Sequence, residues 1–364
     1  MSHEDVRADQ AEIREQLRDS VRGLLTKHSD VRAAMAAPRG YDETVWSLLC
    51  EQIGVAALAV PERYGGIGAG LADVGVVAHE LGRTLTPSPL LGSTVLAAGA
   101  IRAAGDDDTC ARLLPGIADG STVAALAWTG REGDWSGVPS IRAEGGVLNG
   151  TAEYVLDGDT ADRLLVLAAE RDGVGLYDVD VDSDGVERVD AQALDPTRRL
   201  ATVRLSDVEA VCIGGMDPGG LRRLRDEAVA VLAAEQTGAA ERALERTVDH
   251  TLQRHQFGRP IGSFQAVKHR LADAYVRLET ARSASHAALA PAEPPPEEVA
   301  VARVVCTESF EHIAAEMIQL HGGIAITWEH DAHLYFKRAH GSGVLFGPPQ
   351  RYVDELGESD LSPG

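Results

Sequence analysis

The chain has 364 residues, 44% of them hydrophobic, which is enough apolar material for a large core shared by two or three domains. Acidic residues outnumber basic ones by 56 to 34, and the formal net charge of −22 argues against nucleic acid as a partner. The four cysteines form no CxxC pair, so no zinc site is expected. The first residues are polar and no long apolar run occurs, which predicts a cytoplasmic protein without a signal peptide or membrane span.

The first region, 1–118, is predicted to be an all-helical domain. Apolar residues spaced mostly three or four apart, among strong helix formers, predict a helix over 6–28. Glycines in the segment 61–68 indicate a turn, because they tolerate backbone angles that other residues resist. A second helical pattern over 72–81 is expected to stop before Pro87 and Pro89, since proline has no N–H to donate.

The second region, 119–216, is predicted to be an antiparallel β-domain, either a sandwich or a barrel. Runs rich in valine, leucine and isoleucine alternate with Gly, Asp and Ser, at 123–128, 146–156, 163–168, 199–205 and 208–213. The acidic segment 180–185 matches the first half of a calcium loop, but Ala191 stands at the position of its closing glutamate. A solvated hairpin is therefore expected there, and no metal site.

The third region, 217–364, returns to long helices and predicts an antiparallel bundle. An apolar helix face begins at Leu221, and a second helix is expected from Phe264 to about 290. The prolines at 294–296 must break it, and a third helix is expected over 297–320, ending at a glycine pair. The chain as a whole is thus predicted to be α+β and mostly α.

Three segments, in order, resemble motifs of the acyl-CoA dehydrogenase family. The segment 58–68 is similar to the family's Val-Pro-Glu-x-Tyr-Gly-Gly-x-Gly turn. Residues 254–265 contain Arg-x-x-Phe-Gly followed by Phe-Gln, and residues 319–323 contain Gln-x-x-Gly-Gly. The resemblance covers nearly the whole chain. It implies an N-terminal helical domain, a middle β-barrel or sandwich and a C-terminal four-helix bundle.

The resemblance also implies FAD binding across a subunit boundary, in a homo- or heterotetramer that acts on an acyl-CoA and passes electrons to an electron-transfer flavoprotein or similar acceptor. The family residues that hold the ADP half of the flavin in a neighbouring subunit correspond here to Arg254, Phe257, Gln265, Gln319, Gly322 and Gly323, and Gln350 matches a further flavin-contacting glutamine. These residue types suit the task, because a guanidinium is a planar fork for diphosphate oxygens and glycines let the backbone approach a ligand. The alternative is that Arg254 only caps a helix and the glycines only end one.

The catalytic glutamate of the family has no clear counterpart. Its Tyr-Glu-Gly-Thr segment aligns with 345–348, where Phe346 replaces the carboxylate and cannot accept a proton. An alternative base position on the first bundle helix aligns with Ala228. Its neighbour Glu227 points about 100° away and is expected to be an ordinary surface residue. Glu329 is another candidate carboxylate, with structural pairing to a histidine as its default role.

The β-domain departs from the family as well. Leu156 stands where the family has a hydroxyl near the flavin ring, and Trp128 at a strand end either stacks on a ring or simply packs. This asymmetry resembles actinobacterial heteromeric acyl-CoA dehydrogenases, including those acting on steroid side chains, in which one subunit type lacks the base. The leading hypothesis is an acyl-CoA dehydrogenase subunit for α,β-dehydrogenation. A complete homotetrameric enzyme with an atypical base, and a non-redox acyl-thioester binding or assembly protein, remain as alternatives.

Overall fold

The computed structural model describes residues 3–130, 135 and 138–360 of the chain. Within these residues the α-helices are α1 His3–His28, α2 Val31–Ala36, α3 Glu43–Leu48, α4 Leu71–Thr84, α5 Ala98–Ala104, α6 Asp107–Ala118, α7 Pro218–Gln253, α8 Gln265–Leu289, α9 Pro296–His321, α10 Ala332–Val344 and α11 Pro349–Asp360. The strands are β1 Ala124–Ala127, β2 Arg142–Glu144, β3 Val147–Leu156, β4 Arg163–Glu170, β5 Gly173–Val179, β6 Val186–Asp190, β7 Leu200–Glu209, β8 Val211–Met216, β9 His255–Gln256 and β10 Arg259–Pro260. Two π-helical segments, Leu49–Ile53 and Leu90–Ala97, complete the N-terminal region.

The helices predicted over 6–28 and 72–81 are confirmed as α1 and α4, and both extend a few residues beyond the predicted bounds. The turn predicted at 61–68 is a single 3-10 turn, Glu62–Tyr64. Gly65 and Gly68 follow it with φ of 85° and 69°, in the left-handed region that glycine adopts without a Cβ clash. Fold class α+β, mostly α, is confirmed by this order of helices, sheet and helices.

The β-region forms one eight-stranded sheet in the order β6-β7-β3-β2-β4-β5-β8, with β1 beside β4. Most neighbours are antiparallel, as predicted, but β1 and β2 each pair with β4 in parallel. Strands β2, β5 and β6 lie outside the predicted apolar runs. The short strand β2 alternates and β6 is exposed or half-buried, so hydrophobicity gives little signal for either. The centre of β5 is buried, but two glycines and an aspartate interrupt its apolar run.

The solvated hairpin predicted at 180–185 is wrong. The segment leaves β5, which pairs with β4 and β8, and leads to β6 at the opposite edge of the sheet. There, within the described residues, β6 pairs with β7 and not with β5. Gly185 docks the connection against β7, where its carbonyl accepts a hydrogen bond from the Ser206 amide at 3.0 Å. Turn composition predicted a reversal correctly but could not predict which strand receives the returning chain.

The C-terminal helices form the predicted bundle, whose long members are α7, α8 and α9. Two hydrophobic cores support the molecule. One runs from the N-terminal helices through the sheet into the first half of α7, and the other fills the bundle between the second half of α7, α8, α9 and α10. Because the first core crosses both predicted boundaries, the division at 1–118, 119–216 and 217–364 stays a prediction. Within the described residues, no helix is both long and apolar enough to cross a bilayer.

Helices α4 and α7 approach each other through their backbones. A Cβ added at Gly82 would overlap the Glu235 carbonyl, and one added at Gly238 would overlap the His79 carbonyl. Beside this crossing the His79 imidazole lies between two carboxylates, 3.2 Å from Glu80 Oε1 and 3.2 Å from Glu241 Oε2. The N-terminal helices and the bundle are therefore joined by close glycine packing and by buried charge.

Candidate functional site

One end of the bundle brings three helix termini together. There α7 ends at Gln253, α8 begins at Gln265 and α9 ends at His321, because successive helices are antiparallel. The imidazoles of His250 in α7 and His321 in α9 stack with ring centroids 4.2 Å apart. The family-like segments 254–265 and 319–323, distant in sequence, therefore lie next to each other. We call this region the dinucleotide end, after the FAD-binding residues that the sequence analysis predicts there.

The segment between α7 and α8 is a tight hairpin that displays an aromatic ring. His255 pairs with Pro260 and Gln256 with Arg259. Phe257 and Gly258 form the turn with φ of 52° and 78°. Positive φ is uncommon for a bulky residue, and the Phe257 side chain is 87% exposed. A strained backbone that holds a large apolar ring in solvent indicates a contact with another molecule.

The glycine pair after α9 lies in open space. Gly322 adopts φ 65° and ψ −143°, a region that glycine alone populates readily. A Cβ added at Gly322 or at Gly323 would meet no atom within 4 Å. The packing of this chain therefore gives no reason for glycine at position 323. The space before this backbone is what a ligand or a partner chain would fill.

Positive groups concentrate at the dinucleotide end of a strongly acidic chain. Arg254 follows the last turn of α7, Arg259 lies in the hairpin, and Lys268 lies in the first turn of α8, whose N-terminus carries a partial positive charge. Among the described residues Arg254 makes no ion pair within 4.0 Å. Arg254 is the C-cap residue of α7, as the alternative expects, because its backbone N–H donates to the His250 carbonyl at 2.9 Å. Its guanidinium makes no capping hydrogen bond among the described residues, so the cap does not account for the charge. The arrangement suits an anion such as a diphosphate.

The remaining predicted flavin residues divide into two places. Gln265, the first residue of α8, and Gln319, in the last turn of α9, are exposed at the dinucleotide end. Gln350 instead lies in the first turn of α11, where its Nε2 donates to Asp354 Oδ1 at 2.9 Å. The structure thus brings six of the predicted residues together and leaves Gln350 apart from them.

The position of the family's catalytic glutamate lies inside an aromatic cluster, formed by Trp128, Trp135 and Phe346. The two indoles meet edge to face at 5.4 Å, and Trp135 meets Phe346 in the same way at 4.8 Å. All three are buried, and Phe346 has no exposed surface. Trp128, for which packing and ring stacking were both open, packs on another indole. An apolar cluster of this kind offers no proton acceptor.

Hydrogen bonds to the backbone fix Phe346 in this cluster. The Tyr352 hydroxyl donates to the Phe346 carbonyl at 2.7 Å, and Phe346 itself has φ of 63°. Buried Arg303 donates to four carbonyls of the surrounding segment, those of Ser342, Gly343, Leu345 and Gly347, at 2.8–2.9 Å. Burial lowers the pKa of Arg303 to about 10, so it stays charged at neutral pH. The loop is therefore rigidly held with a phenyl ring inward.

The end of β3 packs directly on the π-helical segment 90–97. A Cβ added at Gly92 would lie 2.7 Å from Asp157 Oδ2 and 3.1 Å from Leu156 Cβ. Leu156 is 5% exposed and belongs to the first core. The cavity that Gly92, Leu156 and Asp157 help to line has a volume of about 20 Å³, room for about one water and too small for a planar ring.

The two candidate bases differ from expectation. Glu227 is not an ordinary surface residue: its side chain is 24% exposed and lies 3.5 Å from Arg102. Burial raises the pKa of Glu227 above its ordinary value. Glu329 is exposed, and within the described residues it makes no hydrogen bond to a histidine. The neighbouring His330 Nδ1 accepts from the Ala332 amide at 3.1 Å. The same described residues contain no group of three or more His, Cys, Asp or Glu that could hold a metal ion.

Comparison with known proteins points to the same family as the sequence motifs. Family models for the acyl-CoA dehydrogenase N-terminal and C-terminal domains match residues 11–121 and 208–358. The chain is 46% identical over 360 residues to acyl-CoA dehydrogenase IpdE2 of Mycobacterium tuberculosis, covering 96% of this chain and 98% of the relative. It is 41% identical over 349 residues to IpdE2 of Mycolicibacterium smegmatis, covering 95% and 98%.

Solved structures give the same result. The Tcur3481–Tcur3483 steroid ACAD is 31% identical with a TM-score of 0.86, covering 96% of this chain and 97% of that one. The ChsE4–ChsE5 complex from Mycobacterium tuberculosis is 27% identical with a TM-score of 0.86, covering 96% and 98%. A glutaryl-CoA dehydrogenase from Mycobacterium smegmatis in complex with FADH2, 19% identical with a TM-score of 0.87, shares the fold. From its motifs, fold and relatives together, this chain belongs to the acyl-CoA dehydrogenase family.

Proposed function

We propose that this chain is the base-lacking subunit of a heteromeric acyl-CoA dehydrogenase. In this proposal it holds the ADP half of an FAD whose ring lies in a partner subunit. The observation that carries the proposal is the contrast between the open dinucleotide end and the filled position of Phe346. A chain that served as a complete enzyme would need a proton acceptor at the position of Phe346, where the neighbouring side chains are indoles.

The residue types at the dinucleotide end suit the ADP half of FAD. The Arg254 guanidinium would bind the diphosphate as a fork, and the N–H groups of the first turn of α8 would add a favourable dipole. Phe257 would cover the adenine ring, and Gly322 and Gly323 would let the backbone approach the ligand. FAD, when bound, supplies a hydride acceptor at its ring for α,β-dehydrogenation of an acyl-CoA. This chain would bind and orient the cofactor, while the partner would supply the carboxylate that takes the α-proton.

Exposed apolar side chains support a subunit boundary at the dinucleotide end. After the glycine pair, Ile324, Ile326 and Trp328 are 51%, 75% and 59% exposed, and Phe257 adds its ring. Three large apolar side chains exposed within five residues are uncommon on a free surface and suit an interface. We propose a tetramer containing a second acyl-CoA dehydrogenase-type subunit, with an electron-transfer flavoprotein or similar acceptor. The names of the ChsE4–ChsE5 complex and of the Tcur3481–Tcur3483 steroid ACAD make a two-component enzyme and a steroid-derived acyl-CoA the first partner and substrate class to test.

The test is the flavin content of the chain purified alone and after co-expression with a family subunit encoded beside it. We expect a colourless chain alone, and a yellow complex with flavin bound once per pair of unlike subunits. In the complex, Arg254→Gln should weaken FAD binding by about tenfold or more, as expected for loss of a charge-assisted pair. Arg222→Gln, an exposed arginine at the other end of α7, is the matched control and should change it little. A chain that is yellow and active alone contradicts the proposal.

One observation favours the second candidate, a complete homotetrameric enzyme with an atypical base. Glu227 is half-buried, and burial raises its pKa, the direction in which enzymes shift a carboxylate that acts as a general base. If Glu227 is the base, Glu227→Gln should abolish flavin reduction by acyl-CoA in the purified chain. Glu329→Gln, at an exposed site, serves for comparison. If the chain and its complexes are all colourless, the non-redox acyl-thioester binding protein becomes the better hypothesis.

A further inference from the structure

Three histidines pack together beneath the dinucleotide end. His250 in α7 and His321 in α9 stack at 4.2 Å with their planes 24° apart. His330, in the turn before α10, contacts His321 with ring centroids 4.8 Å apart and planes tilted by 53°. The three rings come from α7, from α9 and from the turn before α10, so side-chain contacts of the cluster join three separate elements.

The central ring has a defined orientation and no charge. His321 is 8% exposed, and its Nδ1–H donates to the Met317 carbonyl one turn earlier at 2.8 Å. Burial lowers the pKa of His321 to about 4, with further lowering by the neighbouring histidines and Arg246. Burial and Arg254 also lower the pKa of His250. At neutral pH the stack is therefore neutral, and no repulsion separates its rings.

The stack adjoins two groups assigned above to the cofactor. His250 lies one helical turn before Arg254, and the Arg254 amide donates to the His250 carbonyl at 2.9 Å. His321 is the last residue of α9 and immediately precedes Gly322. The stack is thus one of the contacts that hold the guanidinium-bearing end of α7 beside the glycine backbone after α9. Helix ends fray more readily than helix interiors, so a fixed spacing there needs a dedicated contact.

The third ring is itself anchored. His330 Nδ1 accepts from the Ala332 amide at 3.1 Å. The next residue, Asp331, pairs with Arg32 of α2 at 2.9 Å and with Arg246 of α7 at 3.0 Å. The cluster is therefore tied to the N-terminal helices and to the bundle at once.

We propose that His250 and His321 are positioning residues for the dinucleotide, because their stack holds Arg254 and the Gly322 backbone at the spacing that one diphosphate requires. The inference rests on the proposed function of this end. It assigns no contact between the imidazoles and the cofactor.

The test measures FAD dissociation from the complex with the partner subunit, using FAD itself as the probe. His321→Leu removes the stack and should raise the Kd about tenfold, whereas His321→Phe keeps a ring in the stack and should recover most of the affinity. His250→Leu, at a more exposed position, should reproduce the loss if His321→Leu does not fold. The matched control is His340→Leu: His340 makes the same Nδ1 contact to the carbonyl one turn earlier, that of Phe336, and meets the Phe336 ring at 4.2 Å.

A double-mutant cycle separates positioning from general stabilisation. If His321 acts through Arg254, the loss caused by His321→Leu should shrink to less than about twofold in an Arg254→Gln background. An undiminished loss in that background, or no recovery by His321→Phe, would overturn the inference. A complex that binds FAD and responds to Arg254→Gln but not to His321→Leu refutes this inference alone. A complex that binds no FAD refutes the proposed function instead.

Discussion

Replacing Phe346 by glutamate restores the family's residue type at the base position, and we predict that it yields no activity. The side chain has no exposed surface and contacts Trp135 edge to face at 4.8 Å. Truncating a buried phenylalanine costs about 3–5 kcal/mol. Burying a carboxyl group without a hydrogen-bond partner adds about 1–3 kcal/mol. We therefore expect Phe346→Glu to lower the free energy of unfolding by about 4–8 kcal/mol, a large part of the stability of a typical protein.

The pH dependence distinguishes the introduced carboxyl from the lost packing. Burial should raise the pKa of the new glutamate above its ordinary value of about 4.3. Its folded form then binds more protons than its unfolded form, so stability is fully present below about pH 4.3 and falls as pH rises towards the raised pKa. The slope is at most about 1.4 kcal/mol per pH unit. Phe346→Gln should show the packing loss without this slope.

The assay is denaturant unfolding of both variants between pH 5 and 9, with flavin absorbance and acyl-CoA-dependent bleaching measured on the same samples. Phe310→Gln is the control, because Phe310 is equally buried but lies in the bundle core, away from the indoles. A Phe346→Glu chain as stable as the wild type, or one that is yellow and bleached by substrate when purified alone, would refute the view that this position is filled.

Three further predictions concern the framework. Helix propensity alone predicts that Gly238→Ala stabilises the protein by about 1 kcal/mol. Because the added Cβ would overlap the His79 carbonyl, we expect instead a net loss of about 1–3 kcal/mol in urea unfolding. The control Gly357→Ala, with open space around it, should not destabilise the protein. Burial tends to lower the pKa of His79, but hydrogen bonds to Glu241 and Glu80 outweigh it and raise the pKa. The stability that this group contributes is therefore fully present below about pH 6.5 and is lost as pH rises through the raised pKa. His79→Asn should flatten that part of the curve of stability against pH. Arg303→Met leaves four buried carbonyls without their donor and should cost about 3–5 kcal/mol, and a loss below about 1 kcal/mol in the same assay would contradict this role.

Several site features could be predicted from local sequence because they depend on short offsets. The start of α8 after Phe264 and the stop of α9 at Gly322 follow from helix periodicity and from residues that permit or forbid particular backbone angles. Antiparallel packing of consecutive long helices then requires these ends to meet. The histidine stack was missed because no local pattern distinguishes His250 from any other histidine in a helix.

Other features depend on contacts between distant parts of the chain, and hydrophobicity could not predict them. The path from β5 to β6 across the sheet is one, because composition predicts a turn but not the strand that the chain joins. The half-buried environment of Glu227 is another, since its partner Arg102 belongs to α5.

The sequence by itself determined the class of this protein, the order of its helical and β regions and the residues that form the dinucleotide end, because periodicity, turn chemistry and motif spacing act over a few residues at a time. Only the tertiary structure decided that Trp128, Trp135 and Phe346 pack together at the position of the family's base and that two imidazoles join the ends of α7 and α9. Those outcomes depend on which surfaces meet when the chain becomes compact, and packing of that kind is a property of all the contacting residues together.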